Sequence, residues 1–276
     1  MSTWVSDLTA DISASNILIK LLSTVHSWNE DQIYQRLGSP VKDEVLLSSG
    51  ESPRCSAPRY VVEPANLTDS ELLSEDILLI DFGQSFHSKS SPSQPTGLSL
   101  SYSAPELLFD GMPTTYADIW ALACTIYEIR AGTELFASFF GTEDEIIRQI
   151  VQTLGKLPEP WWSSWQSRSM YFDEGGEPNK VWPKNVPLAI RYPLQAQIQD
   201  IGADDEEPAD NDPEGLDLRP KSMLEAPGSR LSTTEIADFE GLLGQMLKYR
   251  PEDRMLYDKI RQHVWFSKEY TSDYLS

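Results

Sequence analysis

The sequence predicts a mainly α protein with a few short β-strands, and three observations predict it. From Ala117 onward, apolar residues recur at helical spacing in several long stretches. The short apolar and β-branched runs that suit strands fall early, before Asp81. Between them lie Ser-, Pro- and Gly-rich segments with no period of either kind.

Each element can be justified in turn. After Asn16, ILIKLL reads as a strand or strand-turn. Residues 23–70 lack clear periodicity, apart from a short helix expected around Trp28 to Leu37. Residues 77–80, ILLI, form an apolar run bounded by acids and predict a short buried strand. Residues 87–99 have the composition of a flexible loop. ADIWALACTIYEI is apolar nearly all round, as a helix buried on every side would be. In EDEIIRQIVQTLG, by contrast, Ile146, Ile147, Ile150, Val151 and Leu154 keep to one face. Residues 158–195 are rich in Trp, Pro and Gly and read as packed loop, while 203–214 carry acids and no base, the composition of a solvated, disordered tract. Ser232 to Glu235, STTE, has the capping-box pattern ahead of an apolar stripe. YRPEDR ends that helix, and MLYDKIRQHVWF supplies a final one.

Composition bounds the function. With 276 residues, 40% hydrophobic and including 8 Trp, 11 Tyr and 9 Phe, the chain can fill a sizeable core. Its formal charge of −21 argues against nucleic acid and anionic membrane surfaces as partners. That charge suits a basic protein partner or, more simply, a soluble acidic surface. Cys55 and Cys124 have no metal-ligand spacing and form no disulfide framework; Cys124 sits in an apolar run as a small core residue. No run approaches the roughly 20 apolar residues of a membrane span, and the first residues are too polar for a signal peptide. The expected location is intracellular, cytoplasmic or nuclear; oligomeric state is not legible.

Candidate chemistry lies in an ordered set of short motifs. Taken alone, Asp11 and Asn16 are turn formers, and Asp81 is an acid at a strand end. Order gives them meaning: Asp11-x-x-x-x-Asn16, then a strand ending in Asp81-Phe82-Gly83, then Ala104-Pro105-Glu106. Downstream come Asp118-Ile119-Trp120 and Arg254, which closes YRPEDR. In this order the chain resembles the C-terminal lobe of a eukaryotic protein kinase, the helical lobe of an α+β fold. DIWALACTIYEIRAGTELF followed by DEIIRQIVQTLGKLPEPWW is similar to the SR-protein kinases (the SRPK group) and their fungal relatives. The 64 residues between Asn16 and Asp81 are part of that likeness, against about a dozen in a minimal kinase.

The resemblance implies ATP-dependent phosphoryl transfer to serine or threonine of a protein, with an Arg/Ser-rich substrate suiting the acidic surface. It implies Asp11 as the base that accepts the substrate hydroxyl proton, and Asn16 and Asp81 as holders of Mg²⁺ and, through it, ATP. It gives Phe82 and Gly83 structural roles, with Gly83 allowing a sharp turn. Glu106 and Arg254 are expected to pair, and Asp118 to brace the catalytic loop. The chain then divides into residues 1–22 as the catalytic-loop region, 23–76 as an insertion and 77–276 as the rest of the lobe. Three departures accompany the likeness. MSTWVSDL, ahead of the loop, holds no Gly-rich loop or N-lobe lysine; Thr9-Ala10 replace His-Arg; and Ser13 replaces the usual Lys. The expectation is a truncated kinase lobe whose autonomous activity is open. The alternatives are a non-catalytic pseudokinase or binding module, and a degenerate remnant.

Overall fold

The computed structural model describes residues 7–8, 12–53, 57–64, 72–87, 99–111, 114–180, 189–202 and 230–270. Asp11, Cys55, most of the 87–99 segment and the acidic tract at 203–214 lie outside the described residues. In chain order the strands and first helix are β1 (Asp7–Leu8), β2 (Ile17–Leu21), α1 (Glu30–Leu37), β3 (Lys42–Glu44), β4 (Tyr60–Val62), β5 (Leu73–Leu79) and β6 (Phe86–His87). Helices follow: α2 (Pro105–Asp110), α3 (Thr115–Ala131), α4 (Glu143–Leu154), α5 (Trp161–Ser164), α6 (Arg168–Tyr171), α7 (Leu194–Gln199), α8 (Thr233–Met246) and α9 (Tyr257–Arg261). The mainly helical reading, with a few short strands, holds.

The chain separates into two compact units, residues 17–80 and the remainder. In the smaller unit, β2 and β5 pair antiparallel with Ile17 opposite Leu79 and Leu21 opposite Leu73. Inside that ladder sit the β3–β4 pair and α1. Helix α1 is specified locally. Asn29 and Gln32 form both halves of a capping box, and Glu30 and Asp31 occupy the first turn, where the helix dipole favours acids. One expectation is corrected. The strand at ILLI extends over Leu73–Leu79 and is not buried, for Ile77 is 63% exposed and Leu78 48%. A ladder of two strands has no second layer to cover its faces.

The larger unit is built around α3. Trp120, Ile119, Ala123 and Cys124 of this helix are buried together with Phe136, Phe239, Leu242, Leu243 and Met246. Most of the helix is buried, as its largely apolar sequence predicts, but the expected burial on every side stops short at Ile129, which is 61% exposed; Gly132 ends the helix in the left-handed conformation at φ 80°. A second cluster gathers Trp161, Trp162, Trp165, Tyr171 and Phe172 against Ile147 and Val151 on the apolar face of α4. The 158–195 segment is thus packed but not all loop, since α5 and α6 deliver these rings and α7 begins at Leu194.

Helix α8 starts as read, with the Ser232 hydroxyl accepting from the Glu235 N–H at 3.2 Å. The other half of the expected box is diverted: the Glu235 carboxylate accepts from Arg130 of α3 at 2.7 and 3.0 Å. The expected last helix is shorter too. It stops at Arg261, and Val264–Phe266 form a separate 3-10 turn that stacks Trp265 on Phe239 at 4.9 Å.

Candidate active site

Asn16 and Asp81 belong to the larger unit and flank the β2–β5 ladder in sequence. Ile17 faces Leu79, so Asn16 is the residue just before the first paired position of β2, and Asp81 follows two residues after the last paired position of β5. The two residues therefore emerge from one end of the same antiparallel pair although 64 residues separate them in sequence.

Asp81 holds the strained backbone of this turn. It sits at φ 57° and ψ 65°, the only positive φ of a non-glycine residue among the described residues. Asp tolerates this region better than most residues, and such outliers concentrate at functional sites. The Asp81 carboxylate accepts from the Gly83 N–H at 3.3 Å and caps the short 3-10 turn Phe82–Gln84. Gly83 itself has no positive φ. A Cβ there would stand 3.2 Å from Asp81 Oδ1, so what glycine provides is room for that carboxylate. Phe82 is 55% exposed.

Asn16 closes the 3-10 turn Ala14–Asn16, its N–H donating to the Ser13 carbonyl at 3.1 Å. Ser13 is buried, and its hydroxyl lies 2.9 Å from that of Ser15. Ile12, just before, is approached by the hydroxyl of Thr125 on α3 at 3.3 Å. Asp118 is buried on the first turn of the same helix.

Glu106 and Arg254 form a buried bidentate pair at 2.7 and 2.6 Å. The guanidinium also donates to the carbonyls of Tyr116 and Lys248 at 2.8 and 2.9 Å, and lies 5.2 Å from the Trp120 ring centre. One Arg thus ties α2, α3 and the turn after α8 together. It is a structural clamp, buried with its partner and aimed away from solvent.

Three participants escaped sequence reading. Tyr102 donates its hydroxyl to Glu128 of α3, and Ser101 donates to Glu134. Both bonds pin the 3-10 turn Leu100–Tyr102 that precedes Ala104-Pro105-Glu106. Partial burial holds the Glu134 carboxyl above its ordinary range, and the Glu128 charge adds to this. Thr125 is the third. A hydroxyl in the middle of a largely apolar helix was the available signal.

The donors at Asn16 and Asp81 are hard oxygens, a set that suits Mg²⁺. Among the described residues no group of three or more His, Cys, Asp or Glu could hold a metal. That too is compatible with Mg²⁺, which is commonly held by one or two side chains with phosphate oxygens and water completing its shell.

Comparison with known proteins now bears on this geometry. The protein kinase domain family matches residues 64–266, most of the chain, and the chain belongs to that family. The match takes in Asp81, Glu106, Asp118 and Arg254 and begins after Asn16. Within the family the chain resembles the SRPK group. A probable serine/threonine-protein kinase sky1 of Dictyostelium discoideum is 24% identical over 168 residues, 59% of this chain and 21% of that protein. Serine/threonine-protein kinase SKY1 of Saccharomyces cerevisiae is 31% identical over 100 residues, 33% of this chain and 14% of that protein. Serine/threonine-protein kinase SRPK of Physarum polycephalum is 28% identical over 80 residues, 28% of this chain and 19% of that protein. The chain thus spans about a fifth or less of the length of these relatives. No helix among the described residues is long and apolar enough to cross a membrane.

Proposed function

We propose that this chain carries the catalytic half of a serine/threonine protein kinase, with Asp11, Asn16 and Asp81 at its centre. The observation that carries the reading is the left-handed backbone of Asp81, which with Asn16 flanks in sequence the same end of the β2–β5 ladder. In this reading Asp11 accepts the proton of the substrate hydroxyl as that oxygen attacks phosphorus. Asn16 and Asp81 hold the magnesium, and the Gly83 N–H keeps the Asp81 carboxylate oriented. Bound Mg²⁺·ATP supplies the phosphoryl group and neutralises its oxygens. Glu106, Arg254 and Asp118 act on the surrounding backbone and touch no substrate. The net charge of −21 and the likeness to the SRPK group favour a basic, Arg/Ser-rich protein substrate.

A second reading, a kinase-derived binding module without catalysis, draws on Ser13. This residue is buried where the resemblance expects a Lys to steady the transferred group. One experiment separates the two. Purified full-length chain is incubated with Mg²⁺ and radiolabelled ATP and an Arg-Ser repeat peptide, beside Asp11→Ala and Asp81→Ala variants. The expected result is transfer to the peptide that Asp11→Ala lowers by about 10²–10⁴-fold. Asp81→Ala is expected to abolish the rise in melting temperature that Mg²⁺·ATP gives the parent. Transfer that survives Asp11→Ala overturns the assignment of the base. Absence of both transfer and the thermal shift favours the binding module.

A further inference from the structure

We propose that Thr125 is a positioning residue for the loop from Ile12 to Asn16, its hydroxyl tethering the Ile12 carbonyl to the central helix α3. The inference rests on the reading of that loop as catalytic.

The observation is a buried hydroxyl in the middle of α3, with the apolar run Ile119 to Cys124 before it and Ile126 after it. Thr125 is 0% exposed, flanked by Cys124 and Ile126 and one turn after Ala121. Its hydroxyl carries one hydrogen and reaches two carbonyls. One is Ala121, four residues back on the helix at 2.8 Å; the other is Ile12, 113 residues away in sequence, at 3.3 Å. The first bond is the usual resort of a threonine inside a helix. The second joins α3 to a different part of the chain. A buried hydroxyl with no access to solvent can serve only its protein neighbours.

What it joins is a turn already rigid within itself. The Ser13 carbonyl receives the Asn16 N–H at 3.1 Å, and the Ser13 and Ser15 hydroxyls meet at 2.9 Å. Ser13 is 3% exposed. Fixing Ile12 therefore fixes the whole turn against α3. Asp11 is the next residue upstream and Asn16 closes the turn downstream. Thr125 thus holds in place the described turn that ends in the proposed metal ligand Asn16. Orientation of this kind matters steeply, since displacing reacting groups by about 1 Å can cost about 10²-fold in rate.

The test compares Thr125→Val, which keeps the branched shape and removes the donor, with Thr125→Ser, which keeps the donor. Hydrogen exchange of the full-length chain is read at Ser13–Asn16 and, as an internal standard, at Leu242 and Leu243 of α8. The expected outcome for Thr125→Val is exchange about fivefold faster at Ser13–Asn16 with α8 unchanged, and a return to the parent rate in Thr125→Ser. In the phosphoryl-transfer assay Thr125→Val is expected to lower kcat about tenfold while KM for ATP stays within about twofold. Unchanged exchange at the loop, an equal loosening of α8, or failure of Thr125→Ser to rescue overturns the proposal. Two failures are told apart by the parent chain. If the parent transfers phosphate and Thr125→Val matches it in exchange and kcat, the tether alone is refuted. If the parent neither binds Mg²⁺·ATP nor transfers phosphate, the catalytic reading falls and the positioning role goes with it.

Discussion

Arg254 brings a full positive charge to a place where its side chain is 0% exposed, opposite Glu106 at 5%. Removing water from two ions costs several kcal/mol each, and the pair persists because its geometry answers that cost. Both carboxylate oxygens of Glu106 are used, and the carbonyls of Tyr116 and Lys248 take further guanidinium hydrogens. Deleting one partner is therefore worse than deleting both. Glu106→Gln is expected to lower the unfolding free energy by about 3–5 kcal/mol, read from urea denaturation with an unchanged m-value. Glu106→Gln combined with Arg254→Met should recover part of that loss, because no unpaired charge stays buried. A double variant as unstable as the sum of its parts would mean that Arg254 acts through its packing on Trp120 rather than through its charge. The pair spans 148 residues in sequence, and no local pattern links its members. Only the order of motifs could suggest it.

The turn Leu100–Tyr102 shows how an element can be pinned by groups that its own sequence does not reveal. Tyr102 and Ser101 donate to Glu128 and Glu134, one acid on the last turn of α3 and one just beyond its end. Burial raises the Glu134 pKa above its ordinary 4.5, so the folded state favours the protonated form. The sign of the linkage follows: between the unfolded and folded pKa values the native state binds more protons. Stability from this group is fully present below about pH 4.5 and is lost as pH rises through the folded pKa. Glu134→Gln cannot ionise and can still accept from Ser101. It should melt higher than the parent at pH 7, with the difference shrinking toward zero by about pH 4 in thermal scans. A gap that does not change with pH would trace the effect to something other than this carboxyl. Elements whose signals were local were legible: α3 from its largely apolar sequence, α4 from its one apolar face, and the start of α8 from Ser232. Where a side chain had a distant competitor, the local reading failed. Glu235 left its capping box for Arg130, and the segment after His263 broke so that Trp265 could stack on Phe239. In the candidate site, the motif singled out Asp81, but its left-handed backbone and the reason for Gly83 depend on a turn that spacing does not encode.

At the scale of the whole molecule, the apolar burial is uneven between the two units. Both large clusters of buried side chains belong to the larger one, whereas in residues 17–80 Leu72 is the buried apolar residue among those described. Leu18, Ile19, Val41, Leu46, Ile77 and Leu78 are exposed there, and α1 has no buried residue. The smaller unit is therefore held by backbone pairing and local caps more than by a core. What the proposed site asks of it is the ladder, since Asn16 and Asp81 lie in sequence just outside its paired residues Ile17 and Leu79. The chain between the strands should be replaceable. Leu22 donates its N–H to the Leu72 carbonyl at 2.9 Å, so these two residues already stand opposite each other at the far end of the ladder. An Asn-Gly pair substituted for residues 23–71 would join them through a tight turn suited to antiparallel strands. The shortened chain is expected to melt within about 3 °C of the parent, because closing a shorter loop costs less entropy and no large core is removed. It should also keep any thermal shift that the parent shows with Mg²⁺·ATP, and keep its sensitivity to Asp81→Ala. A fall in melting temperature of more than about 10 °C would show that residues 23–71 carry packing the larger unit needs. A preserved melting temperature with a lost shift would show instead that the inserted segment acts on the nucleotide site directly.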